Sequence, residues 1–128
     1  MAIRTTNTKN RTGATSTSRA ATTTMAAGPE YEVIRTCANV CNETLAYCLS
    51  QGDDHVEENH IKALVDCAAI CNLTADFVGR ESELADRLRG VCAEASKACQ
   101  ESCEGFDGDE TMKRCADACH ECAEYCGS

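Results

Sequence analysis

The sequence predicts an all-α fold: an antiparallel four-helix bundle with a cysteine-lined core. Three observations point to it. Four helix-forming runs follow residue 28, separated by short breaks that carry glycine or aspartate. Twelve cysteines recur through those runs at one spacing, C-x3-C-x2-C-x3-C. With no Trp, two Phe and three Tyr, the chain lacks the usual core fillers, so sulfur must take their place.

Residues 1–28 are rich in Thr, Ser, Ala and Asn without apolar periodicity. Such a composition buries too little surface to offset chain entropy, so a disordered tail is expected. Pro29, favourable in the first turn of a helix, opens a bundle domain over 29–128. Helices are expected at roughly 30–50, 55–78, 81–104 and 109–126. The breaks hold Gly52-Asp53-Asp54, Gly79-Arg80 and Gly105 to Asp109, where glycine permits the turn and Asp54 or Asp109 can cap the next helix. Short connections make successive helices antiparallel neighbours.

Charge divides the chain the same way. Arg4, Lys9, Arg11 and Arg19 make the tail +4; beyond it eight Lys and Arg stand against twenty-one Asp and Glu, leaving the body at −13. A body that acidic repels nucleic acid and anionic membrane and attracts cations. No stretch approaches the ~18 apolar residues of a membrane span, and the N-terminus has no apolar secretory core. The expected location is cytoplasmic, where thiols stay reduced and a cysteine-dense chain points to metal rather than to a disulfide framework.

The cysteine register is the decisive feature. The fourth run matches completely, with Cys115, Cys119, Cys122 and Cys126. The first gives Cys37, Cys41, Thr44 and Cys48, the third Cys92, Ser96, Cys99 and Cys103, and the second Cys67, Cys71, Thr74 and Val78. Steps of 4, 3 and 4 keep side chains on one helical face, so each helix presents a stripe of sulfur. The residues between are largely charged, polar or Ala, which turns the stripes inward.

Core filling would account for one or two cysteines, but twelve in one register would make a poorly filled, oxidation-prone core. Paired C-x9-C disulfide helices do not match, because the outer cysteines of three runs are separated by ten residues and bridges within a helix would be strained. Iron–sulfur binding usually uses close cysteines on loops, and structural zinc one discrete tetrahedral centre. Cu(I) is soft, favours thiolates and accepts low coordination numbers, so thiols one helical turn apart can share an ion. Two-coordinate counting gives about 6 ions per chain without sharing and about 12 when every thiolate bridges. The reading is storage of multiple Cu(I) ions. A general zinc or soft-metal buffer and a thiol/disulfide redox-sensing interaction protein are the alternatives. No Ser/His/Asp set, phosphate-cradling loop or open three-ligand metal site argues for an enzyme.

From about residue 31 onward, the repeated stripe and the segments Leu64 to Cys71 and Cys115 to Cys122 resemble the bacterial cysteine-rich four-helix-bundle copper-storage proteins. The resemblance implies a homo-oligomer, commonly a tetramer, with cuprous ions inside each bundle, an open end through which they pass, and no catalysis. Copper donor or acceptor proteins are the partners expected with such a store. Thr44, Thr74 and Ser96 depart from the fuller family pattern and should lower capacity. Projecting the stripe past its ends puts His60 and Met112 inward at the end holding Cys48 and Cys103, as candidate entrance ligands beside readings as a capped histidine and simple core filling. His55 belongs in a turn, and His120 faces solvent. The basic tail suits a targeting segment, a docking peptide for a larger assembly such as a protein shell, or an inert arm; docking or an inert arm is favoured.

Overall fold

The structure, a computed structural model, describes the backbone of residues 17–127 and the side chains of residues 28–127. Residues 1–16, which hold most of the expected tail, lie outside the described residues. Helix α1 spans Thr17–Gln51 and is interrupted at Gly28, whose φ of 73° and ψ of −173° are not helical. Helical backbone therefore begins earlier than the expected start near residue 30, and the break stands beside Pro29. A short 3-10 turn, Asp53–Val56, leads to α2, Glu58–Gly79; α3 is Ala85–Glu104 and α4 is Glu110–Gly127.

Both α2 and α3 start later than the spacing suggests, because local turns take up the first residues. Gly52 and Asp53 both have positive φ, winding 53–56 into the 3-10 turn. Asp54 is used inside that turn, and Glu57 caps α2 instead, its carboxylate accepting from the His60 backbone N–H at 3.0 Å. Asp109 does cap α4, accepting from the Met112 N–H at 3.2 Å. The α2–α3 turn differs in a second way. Glu81, not a glycine, takes the left-handed conformation there, at φ 58°. Gly79 serves packing, since a Cβ on it would sit 3.2 Å from the Tyr31 ring.

The helices pack as a closed ring: α1 on α2, α2 on α3, α3 on α4 and α4 on α1, while among the described residues the backbones of the diagonal pairs stay apart. Four inward faces therefore share one axis. At one end, which holds the start of the α1 bundle segment, Arg89 reaches across to Glu30 with a two-pronged ion pair at 2.6 and 2.9 Å. Arg35 ties α1 to α2 through Asn72 at 2.9 Å and Asp76 at 2.7 Å. These are partly exposed pairs and contribute alignment more than stability.

The interior is narrow. Its largest fully buried apolar side chains, cysteine aside, are Ile34, Leu64 and Met112. Ile34 and Leu64 precede Cys37 and Cys67 by three residues and so continue their stripes. Tyr31, Tyr47, Phe77 and Phe106 are only partly buried and pack around this core. Small side chains let the helices approach, and sulfur supplies the polarizable contact that aromatics would otherwise provide.

Candidate metal centre

All twelve cysteines are buried, none more than 6% exposed, and none forms a disulfide. The inward stripe is thus realised on every helix. Toward the Glu30–Arg89 end, Cys71 Sγ lies 3.5 Å from Cys92 and 3.7 Å from Cys122, with Cys92 and Cys122 3.8 Å apart. In mid-bundle, Cys37, Cys41, Cys67 and Cys119 converge at 3.7–4.0 Å. Cys41 is also 4.0 Å from both Cys99 and Cys115.

These contacts make four groups whose ligand atoms lie within 4.8 Å of one another: Cys37/Cys41/Cys67/Cys119, Cys41/Cys99/Cys115/Cys119, Cys37/Cys71/Cys122 and Cys92/Cys122/Cys126. The groups share members. Cys37, Cys41, Cys119 and Cys122 each belong to two, so the set is one branched sulfur network rather than four separate centres. Cys48 and Cys103 stand outside it.

The three hydroxyl slots behave differently from one another. Thr44 Oγ1 turns away to donate to the Val40 carbonyl at 2.7 Å. Ser96 Oγ faces the network, 3.6 Å from Cys67 and 3.8 Å from Cys71. Thr74 Oγ1 is buried with no hydrogen-bond partner. Such an orphan costs desolvation without return.

His60, Met112 and Cys48 do meet at the opposite end. Cys48 Sγ is 3.4 Å from His60 Nε2 and 3.7 Å from Met112 Sδ. Ser102 Oγ holds His60 Nδ1 at 2.6 Å, and a proton on Nδ1 would leave the Nε2 lone pair facing Cys48. Helical spacing could not reveal Ser102, because it contributes only through the side chain beside Cys103. The end is also covered rather than open. Cys48 and Met112 are 0% exposed and His60 only 3%. Phe106 sits over His60 with ring centroids 4.8 Å apart, and His55 stacks on Phe106 at 4.5 Å. Asp109 fastens this cover, accepting from Tyr47 OH at 2.9 Å and contacting His55 Nε2 at 2.9 Å. His55 thus lies in the turn with a structural partner, and His120 is exposed.

Electrostatics suits a site awaiting cations. Burial pushes the Cys48 thiol up to about 11. Within the network directions alternate: Cys41 is raised by its hydrogen bond to Cys115 and Cys71 by its bond to Cys122, whereas Cys115 is lowered by Cys103 and Cys122 by Cys126. A buried network can carry many thiolates only when cations neutralise them. Burial lowers the His60 pKa, favouring the neutral, ligating imidazole. Burial raises that of Asp109, but His55, the Met112 N–H and Tyr47 together outweigh it and hold the carboxyl below its ordinary value.

A search of the curated proteins gives no significant match. Among solved structures, a protein of Nitrosospira multiformis is 33% identical over 83% of this chain and 93% of its own, with a TM-score of 0.72. The Cu(I)-bound copper storage protein BsCsp3 is 30% identical over 77% of this chain and 92% of its own, also at 0.72. The metal-free copper storage protein 3 of Bacillus subtilis is 29% identical over 76% and 91%, at 0.68. The family model described as copper storage protein matches residues 23–128. With that match spanning most of its length and a cysteine on every inward helical face, the chain belongs to the copper storage protein family.

Proposed function

We infer that this protein stores several Cu(I) ions per chain on the thiols that line its bundle. The observation that carries the reading is the shared sulfur network, ten cysteines in four overlapping groups sealed from solvent. Soft, low-coordinate Cu(I) suits bridging thiolates, and each monovalent ion offsets one thiolate charge. The solved relative BsCsp3 binds Cu(I), which supports the same cargo.

All twelve cysteines are the proposed ligands, with Cys48, His60 and Met112 as a mixed site at the covered end. Acting as a store, the chain needs no catalytic residue, and the family is one of storage rather than catalysis. Among the described residues no helix is long and apolar enough to cross a membrane, which accords with a cytoplasmic store. The proposal includes a homo-oligomer, exchange with copper donor or acceptor proteins, and a tail over residues 1–28 separable from the bundle.

One observation favours zinc as a second reading. Tetrahedral Zn–S bonds of about 2.3 Å place sulfurs about 3.8 Å apart, close to the 3.7–4.0 Å of four of the six sulfur pairs in the Cys37/Cys41/Cys67/Cys119 group. Anaerobic titration of the reduced protein separates the two. Storage predicts several tightly held Cu(I) ions per chain in the presence of a competing Cu(I) chelator, with titratable thiols disappearing and zinc displaced. One ion or none under that competition would refute it.

A further inference from the structure

Copper has to reach thiols that are almost wholly sealed, and the axial end is roofed by Phe106 and His55. Beside that roof, where α3 turns into α4, lies a cavity of about 320 Å³. Cys103, Phe106, Asp107, Asp109 and Glu110 line it. Other clefts, at Asp66 to Ala95 between α2 and α3 and at Ala93 to Gly127 between α3 and α4, border no cysteine.

We propose that this lateral cavity is the door through which Cu(I) enters, and that Cys103 is the first thiol to receive it. Three features converge on the assignment, which rests on the copper-storage reading above. Cys103 lines the cavity yet is buried on the inward stripe of α3, so it is the cysteine that joins cavity to core. On α3 it follows Cys99 by one helical turn, and Cys99 belongs to the group that also contains Cys41, Cys115 and Cys119. An ion on Cys103 is thus handed directly into the branched network. Cys48, by contrast, meets His60 and Met112, and fully buried Thr44, not a thiol, stands one helical turn inward of it on α1.

The wall supplies attraction. Asp107 and Glu110 are exposed, and further carboxylates of Glu104 and Asp117 face the same cavity, where Lys113 is already paired to Asp117 at 3.1 Å. A cationic cuprous complex gains from that field before it meets sulfur. Gly108, at φ 77°, lets the loop turn tightly between Asp107 and Asp109. At Cys103 the incoming ion exchanges a labile ligand for the thiol, whose proton passes to solvent or to the released ligand.

The test is anaerobic stopped-flow mixing of the reduced full-length protein with the tetrakis(acetonitrile)copper(I) cation, following thiolate-to-copper absorbance for rate and final amplitude for capacity. Cys103→Ala should slow uptake about tenfold or more, the effect of a barrier higher by about 1.4 kcal/mol, while capacity falls only by the ions Cys103 itself holds. The surface pair Asp107→Asn with Glu110→Gln should slow uptake by about tenfold at low ionic strength and flatten its salt dependence. Asp66→Asn with Glu94→Gln, remote from the cavity, should leave the rate unchanged. Uptake by Cys103→Ala at the unmodified rate, slowing by Cys48→Ala in its place, or equal behaviour of the two charge pairs would overturn the door. Failure of the unmodified protein to reach a multi-ion endpoint would instead overturn storage itself.

Discussion

Removing one thiol should cost different amounts of copper depending on where it sits in the network. Cys119 lies 3.7 Å from Cys41, 3.9 Å from Cys37 and 4.0 Å from Cys67, and belongs to both four-thiol groups. Cys48 belongs to none of the four groups, and its contacts are His60 and Met112. On two-coordinate counting a bridging thiolate serves two ions and a terminal one serves one, so Cys119→Ala should lose about two ions and Cys48→Ala about one. The reduced metal-free fold should persist in both. Deleting one buried sulfur leaves a small cavity worth about 1–2 kcal/mol, against a core spread over four helices. The assay is metal counting after anaerobic titration against a Cu(I) chelator, with circular dichroism of the metal-free variants as the control for folding. Equal losses from the two variants would refute the shared-network argument, since they would mean each thiol acts alone.

Two further outcomes follow from individual side chains. Thr74→Val removes a buried hydroxyl that has no partner and keeps the side-chain shape; it should stabilise the metal-free protein by about 1 kcal/mol, read as a Tm higher by about 4 °C, and an unchanged or lower Tm would show that the hydroxyl is satisfied. The Cys48 thiol, raised to about 11 by burial, is protonated at neutral pH, so binding there must displace a proton. Below about 11 the affinity of that site therefore rises with pH by about tenfold per unit for one proton released; competition titrations at several pH values, compared with Cys48→Ala, check the slope, and no difference between the two proteins would sink the assignment.

The sulfur stripe was legible from spacing alone because helical geometry converts steps of 4, 3 and 4 into one face without knowledge of any neighbour. The same logic reached His60 and Met112, which lie where the stripes of α2 and α4 extend. What spacing could not supply were features made by segments distant in sequence. Ser102 on His60, the His55–Asp109–Tyr47 cluster and Phe106 over the end depend on how two turns meet after the bundle has formed. Capping showed the same limit: Asp54 and Glu57 are both acceptors near the start of α2, and the 3-10 turn at 53–56 decides in favour of Glu57. The slots at Thr44, Thr74 and Ser96 look alike in sequence, yet one hydroxyl is satisfied by backbone, one faces thiols and one has no partner.

The aromatic roof fastened by Asp109 separates how tightly copper is held from how fast it can be withdrawn. Cys48 and Met112, at 0% exposure, cannot be reached along the axis by a competing molecule while the roof is in place, so exchange at their site is limited by local opening of the helix ends rather than by bond strength alone. A cell drawing on such a reservoir would meet a timed release, governed by the residence time of the closed state. Changes to the turns at 53–56 and 105–109 would alter that clock while leaving the inventory of sulfur untouched.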